Sequence, residues 1–157
     1  IRESAPPLPK GQVFRIIKVY DGDTVQVKGA GLEFKIRLVG IDTPETGGRG
    51  RPEQPFAKQG KQVLTALVLD KDVTLKQYGT GGYNRVLAEL FLGRRNINLT
   101  MVQKGLAEVY RGRLPESLDI AVYKRAQEQA KSSDIGMWSL GRRYKSPKQW
   151  RKEYPLK

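Results

Sequence analysis

No cysteine occurs in the 157 residues, which removes disulfides, thiolate zinc sites and cysteine nucleophiles together. Histidine is absent as well. That excludes a histidine general base, a histidine-bound metal and a serine–histidine triad, so carboxylates, lysine, tyrosine and arginine must carry any catalysis. No run of about 18 apolar residues is present, so nothing in the sequence reads as a bilayer-spanning helix. Acid is the scarcer charge: 16 Asp and Glu against 29 Lys and Arg leave a net +13. Such a bias favours a polyanionic partner, nucleic acid first and an anionic membrane surface second. The length suits one domain with one hydrophobic core.

The densest stretch is 33–46, Glu-Phe-Lys-Ile-Arg-Leu-Val-Gly-Ile-Asp-Thr-Pro-Glu-Thr. It reads as a largely apolar strand that ends at Asp42, with Pro44 stopping the ladder and Glu45 fixed in a stiff turn beyond it. Arg37 lies five residues before Asp42, which in a period-2 strand puts them on opposite faces. A bulge at Gly40 would bring them into one cleft.

Taken in order, residues 1–12 carry Pro6, Pro7 and Pro9 without periodicity and read as an extended lead-in. Val13–Tyr20, Thr24–Lys28 and Leu32–Ile41 read as a three-stranded meander. Residues 46–54 hold three glycines, two arginines and a proline, and are expected to form a mobile basic loop. A helix is predicted from near Pro55, with Phe56, Val63, Leu64, Leu67 and Val68 on one face. Asp72–Gln77 and Arg85–Leu92 read as the fourth and fifth strands. Asn96 or Asn98 can cap a short helix through Lys104, stopped by Gly105. A third helix is predicted from Pro115 to about Lys131, where Leu118, Val122, Ala126 and Ala130 recur every four residues. The last 17 residues carry seven Lys or Arg against one Glu. The expectation is an α+β fold, a five-stranded OB-fold β-barrel with three α-helices over 13–140, and a basic C-terminal extension over 141–157.

Asp21-Gly22-Asp23-Thr24 and Asp42-Thr43-Pro44-Glu45 both place acids beside turns. Each alone is most often a plain turn. In a chain built for phosphate, acids at neighbouring strand ends would repel the partner unless a cation or a proton transfer needed them. Asp21, Asp23 and Asp42 offer hard oxygen donors only, which suits Ca²⁺, with Mg²⁺ or Mn²⁺ next, and does not suit zinc or copper. A backbone carbonyl such as that of Thr43, with waters, would complete the set.

Three ordered runs carry a family likeness: Val19-Tyr20-Asp21-Gly22-Asp23-Thr24-Val25, then Ile36-Arg37-Leu38-Val39-Gly40-Ile41-Asp42-Thr43-Pro44-Glu45, then Tyr83-Asn84-Arg85-Val86-Leu87-Ala88. With Gly105-Leu106-Ala107 and Gly136-Met137-Trp138-Ser139, the sequence resembles the staphylococcal nuclease (thermonuclease) family over roughly residues 13–139. The resemblance implies an OB-fold barrel with three helices and a Ca²⁺-dependent phosphodiesterase, a nuclease that cleaves DNA and RNA to leave 3′-phosphate ends. It implies Asp23 and Asp42 as metal carboxylates, Thr43 as a carbonyl ligand and Asp21 as the outer acid. Glu45 matches the general base, and Arg37 and Arg85 the pair that grips the scissile phosphate. Tyr83 matches a nucleotide-contacting tyrosine.

A second such tyrosine is displaced: Arg111 stands at its matched place and Tyr110 one residue before, so both are nucleotide-binding candidates. Tyr144, Trp150 and Tyr154 in the basic extension could stack on bases or dock the tail on the barrel, and docking is the expectation. The alternative function is a non-catalytic OB-fold module that binds nucleic acid or protein. A monomer is expected, with DNA and RNA as substrates. Export, to a secreted or periplasmic location, fits a nuclease without sequence preference.

Overall fold

The structure is a computed structural model, described for residues 12–82 and 85–157; the lead-in proposed for residues 1–12 lies almost wholly outside the described residues, and Tyr83 lies outside them too. Five strands close a barrel: β1 (Val13–Asp21), β2 (Thr24–Gly29), β3 (Leu32–Leu38), β5 (Asp72–Thr80) and β6 (Val86–Leu92). The antiparallel order β3-β2-β1-β5-β6 is closed by a parallel pairing of β3 with β6. Short strands β4 (Ile41–Asp42) and β8 (Glu108–Val109) pair beside the barrel, and β7 (Arg95–Asn96) folds back to pair antiparallel with the end of β6.

Alternation fills the interior, with Val25, Val27, Ile36, Leu38, Val73, Leu75, Ala88 and Leu90 buried. Each large apolar side chain removed from water in this way contributes about 2 kcal/mol. In β1 the phase changes: Phe14 and Ile16 point inward, then Val19 does, because the register against β2 slips between Ile16 and Lys18. A second slip, between Val19 and Asp21, falls where the acids begin.

Three helices correspond to the expected ones, read from periodicity or, for the second, from its cap and stop: α1 (Ala57–Val68), α2 (Ile97–Gln103) and α3 (Ile120–Ser132). Their buried residues, including Leu64, Val68, Met101 and Tyr123, cover the barrel. The expected count of three is nonetheless wrong. Five helices occur among the described residues, the others being a 3₁₀ helix, Gly136–Arg143, and α4, Pro147–Glu153. Neither has an apolar period long enough to read. The 3₁₀ segment is kinked at Gly141, and α4 depends on its start, where Ser146 Oγ accepts the Gln149 N–H at 3.0 Å and Pro147 occupies the first turn. The third helix also begins at Ile120 rather than Pro115, since Leu118 is drawn off toward Gly40 and lies 2.9 Å from where a Cβ on that glycine would stand.

The loop 46–54 is held rather than loose. The C-terminal segment ties it: Trp150 Nε1 donates to Pro52 O at 3.0 Å, Arg51 Nε to Tyr154 O at 2.7 Å, and the Lys157 N–H to Arg49 O at 2.7 Å. Composition suggested mobility because the anchors come from a hundred residues away.

Candidate active site

Asp21 and Asp23 end the β1–β2 hairpin, and Asp42 ends β4, two strand ends that meet. Gly22 lets them do so, because a Cβ there would stand 3.1 Å from the Thr43 side chain. The Thr43 N–H donates to Asp23 Oδ2 at 3.1 Å, stitching the second acid segment to the first. Thr24 Oγ1 donates to Asp23 Oδ1 at 3.0 Å, and the Asp23 N–H to Asp21 Oδ1 at 3.0 Å.

Arg37 joins this group through a break in its strand. Ile36 and Leu38 face the core, so Arg37 points outward beside Thr24 and Leu87. The chain then leaves β3, and Gly40 takes a φ of +84° that glycine adopts freely. The chain returns as β4 with Asp42 on the side of Arg37. The guanidinium lies 2.9 Å from Asp23 Oδ2 and 3.5 Å from Asp42 Oδ1, with its side chain 14% exposed. Asn98 fixes the turn from behind: fully buried, it donates to Val39 O and Ala88 O and accepts the Leu90 N–H.

These groups line a cavity of about 530 Å³ at the barrel mouth, which Glu45, Arg51, Arg85, Tyr110, Arg113 and Arg151 also line. Arg85 Nε donates to Gly82 O at 3.0 Å. The Tyr110 ring centroid lies 5.9 Å from the Arg37 guanidinium. Arg111 is placed differently: it turns to the buried Glu108, its Nε 2.7 Å from Oε2, and lines a separate pocket. Arg113 reaches the main cavity instead.

Glu45 is gripped on both oxygens. Arg51 Nη1 lies 2.8 Å from Oε1 and Arg151 Nη1 3.1 Å from Oε2, while the Glu45 N–H donates to Gln54 Oε1 at 2.9 Å. Gln54 is buried and in turn donates to Lys145 O at 2.9 Å. Arg151 also meets Asp42 with two nitrogens, Nη1 to Oδ1 at 3.1 Å and Nη2 to Oδ2 at 2.9 Å. Arg51, Gln54, Arg113 and Arg151 escape a sequence reading because no local pattern distinguishes them from other polar residues in basic loops.

Burial and the Asp23 charge push the Asp21 carboxyl up to about 8. Burial acts the same way on Asp23, but the Arg37 charge and hydrogen bonds from Thr43 and Thr24 outweigh it and hold that carboxyl below its usual range. Asp42 is shifted upward by burial, against the pull of Arg151 and Arg37. Like charges taken out of water together demand a cation.

The donor set fits a hard divalent ion in its chemistry: carboxylates of Asp21, Asp23 and Asp42, with the Thr43 carbonyl. Among the described residues no trio of acids converges closely enough to hold one in the geometry shown. Guanidinium groups take that role instead, Arg37 between Asp23 and Asp42 and Arg151 on Asp42 and Glu45.

Comparison with known proteins places the chain in a family. The family model described as staphylococcal nuclease homologue matches residues 35–140. An uncharacterized endonuclease of Haemophilus influenzae is 35% identical over 140 residues, which is 88% of this chain and 72% of that protein. The probable endonuclease LCL3 of Meyerozyma guilliermondii is 33% identical over 125 residues, 76% of this chain and 55% of its own length. That of Phaeosphaeria nodorum is 32% identical over 123 residues, 74% and 42%. The chain thus spans about half the length of these two fungal relatives. The matched segment holds Arg37, Asp42, Glu45 and Arg85 on a closed five-stranded barrel, and on both grounds the chain belongs to the staphylococcal nuclease homologue family.

Proposed function

We propose that this chain is a Ca²⁺-dependent nuclease that hydrolyses phosphodiester bonds of DNA and RNA and leaves 3′-phosphate ends. The observation that carries the reading is the single cavity in which Arg37 touches acids from two strand ends while Glu45 and Arg85 line the same wall. The names of the relatives, endonucleases all, support it.

In-line attack on a phosphodiester gathers negative charge on the non-bridging oxygens, so fixed positive charge must already stand there. On this reading Arg37 and Arg85, which line the cavity, supply it, each with a planar fork that binds two oxygens and never loses its proton. Ca²⁺, held by Asp23, Asp42 and the Thr43 carbonyl with Asp21 behind them, would add Lewis-acid polarisation of the phosphate. Glu45 accepts a proton from the attacking water. A bound cation would draw the Asp21 carboxyl, pushed up to about 8 by burial and the Asp23 charge, back toward its ionised form. Tyr110, beside Arg37, offers a ring face to the nucleotide, a role Tyr83 would share. The same reading takes the chain as a monomer, with residues 13–140 as the nuclease domain, 141–157 as an extension, and a secreted or periplasmic location.

A binding module without catalysis is the second reading, favoured by the arginines that occupy both oxygens of Glu45. Incubation with single-stranded and duplex DNA and with RNA, in Ca²⁺, Mg²⁺ or chelator, separates the two. Cleavage in Ca²⁺ that stops with chelator, to 3′ ends that a polymerase extends only after dephosphorylation, is the expected result. Glu45→Gln lowers turnover by about 10²-fold or more. Binding without cleavage under every condition leaves only the module.

A further inference from the structure

Arg151 belongs to no motif and lies beyond the segment that the family model matches, yet it makes more charged contacts to the acids than any residue the motifs supply. It sits on α4, its guanidinium meets both oxygens of Asp42 at 3.1 and 2.9 Å, and Nη1 also reaches Glu45 Oε2 at 3.1 Å. Asp42 is 1% exposed and the Arg151 side chain 33%, so a cation at the cavity rim covers a carboxylate at its floor. The hold is built from several directions. Ser146 starts the helix, Trp150 is bonded to Pro52, and Gln54 is bonded to Lys145, all within the segment that follows Glu45 or the segment that carries Arg151.

We propose that Arg151 masks this active site: in the metal-free chain it holds Asp42 and Glu45 under one guanidinium, and a divalent ion must take Asp42 from it. The proposal rests on the nuclease reading above, and on three features independent of it. First, Arg151 bridges two acids from different parts of the chain turn, Asp42 in β4 and Glu45 beyond it, and all three line the same cavity. Second, bidentate contact uses both oxygens of Asp42, and an ion bound there must claim at least one of them. Third, Arg37 stands on the other side of Asp42 at 3.5 Å and is held between strands, whereas Arg151 rides on a seven-residue helix at the chain's edge. Of the two guanidiniums, Arg151 is the one with room to withdraw.

A unit charge a few ångströms from a divalent ion weakens its binding even in a watery site. Linkage makes the effect mutual: what Arg151 does to the ion, the ion does to Arg151. Glu45, released on one oxygen as Arg151 retreats, is then free to take a proton.

Calorimetric titration with Ca²⁺, which needs no substrate, tests this directly. Arg151→Gln is expected to bind Ca²⁺ at least about tenfold more tightly than the parent chain. Lys152→Ala, which removes the same charge from the exposed neighbouring position, shifts the affinity by less than about twofold. Amide exchange in the unaltered chain gives a second readout that no variant can spoil by misfolding: Ca²⁺ speeds exchange in residues 147–153 relative to α1. Equal or weaker Ca²⁺ binding by Arg151→Gln, or α4 exchange slowed as much as that of α1, overturns the proposal while leaving a Ca²⁺-dependent nuclease intact. Failure of every form to bind Ca²⁺ brings down both this proposal and the nuclease reading.

Discussion

Two arginines reach Asp42 from opposite sides of the cavity, and they are held there by different means. Arg37 is seated by the barrel wall: its neighbours in the ladder are Thr24 and Leu87, its side chain is 14% exposed, and its backbone is fixed by pairing on both flanks. Arg151 is seated by a strap, the C-terminal segment, whose grip consists of side-chain bonds to a loop. The wall therefore carries charge it cannot move, and the strap carries charge it can release. On the proposed function the site must admit both a cation and a polyanion, and it would need each kind.

The largest effect is expected at the wall. Arg37→Ala leaves Asp23 and Asp42 buried with one guanidinium fewer, and removing one partner of such a cluster typically costs about 3–5 kcal/mol. Burial works against the charge on Arg37, but Asp23, Asp42 and Asp21 outweigh it and raise the guanidinium above its ordinary value. Urea melts should show a loss of that order, and cleavage should fall by about 10²-fold or more as a donor to the developing phosphate charge disappears. Arg151→Ala, removing a rim group 33% exposed, should cost distinctly less in the same melts. Equal losses for the two would erase the distinction between wall and strap.

A pH titration sharpens the contrast. Burial first, and then the Asp23 charge, raise Asp21 from its ordinary 3.8 to about 8. The folded chain thus keeps a proton there that the unfolded chain has lost, so stability falls as pH rises between about 4 and 8 and levels off above. Asp21→Asn removes that decline. With chelator present, thermal melts should show the variant more stable than the parent by about 1 kcal/mol or more at pH 8.5, and nearly level with it at pH 4. The opposite sign would mean that the acids of the wall are already balanced without an added cation.

How much of this could be read from the sequence follows the same division. The wall residues sit in short ordered runs, where strand parity, Gly40 and Pro44 fix what faces what within ten positions. The break at Gly40 needed for Arg37 and Asp42 to share a cleft is legible because only a departure from period 2 reconciles them. The strap is different. Arg151 meets Asp42 across 109 positions, and its helix is set by a Ser-Pro start and by docking rather than by an apolar stripe. Arg111 shows a complementary limit: alignment with a motif makes it a nucleotide-binding candidate, and its ion pair with Glu108, buried beside Asp42 in the β4–β8 pair, is visible only in the fold. Contacts between distant segments depend on how the barrel is closed, and no local pattern encodes them.

The smallest effect is expected where strap meets loop, and it separates local order from global stability. Trp150 donates to Pro52 O at 3.0 Å and stacks against Tyr154 at 4.8 Å, so it fastens residues 46–54 without entering the main core. Trp150→Ala removes a hydrogen bond and a half-buried ring at the periphery, and melts should register about 1 kcal/mol or less. Trypsin should register more: Arg49 and Arg51 lie in the loop that Trp150 fastens, and cleavage there requires local opening rather than unfolding. A several-fold faster cut after Arg49, with the melting curve nearly unmoved, is the expected outcome, the bond after Arg51 being protected by Pro52. Unchanged cutting would mean that Arg51 alone, through Glu45 and the Tyr154 carbonyl, suffices to hold the loop. The strap would then hang from the loop by Arg51 rather than restrain it, and its reach to Asp42 would rest on α4 and Gln54.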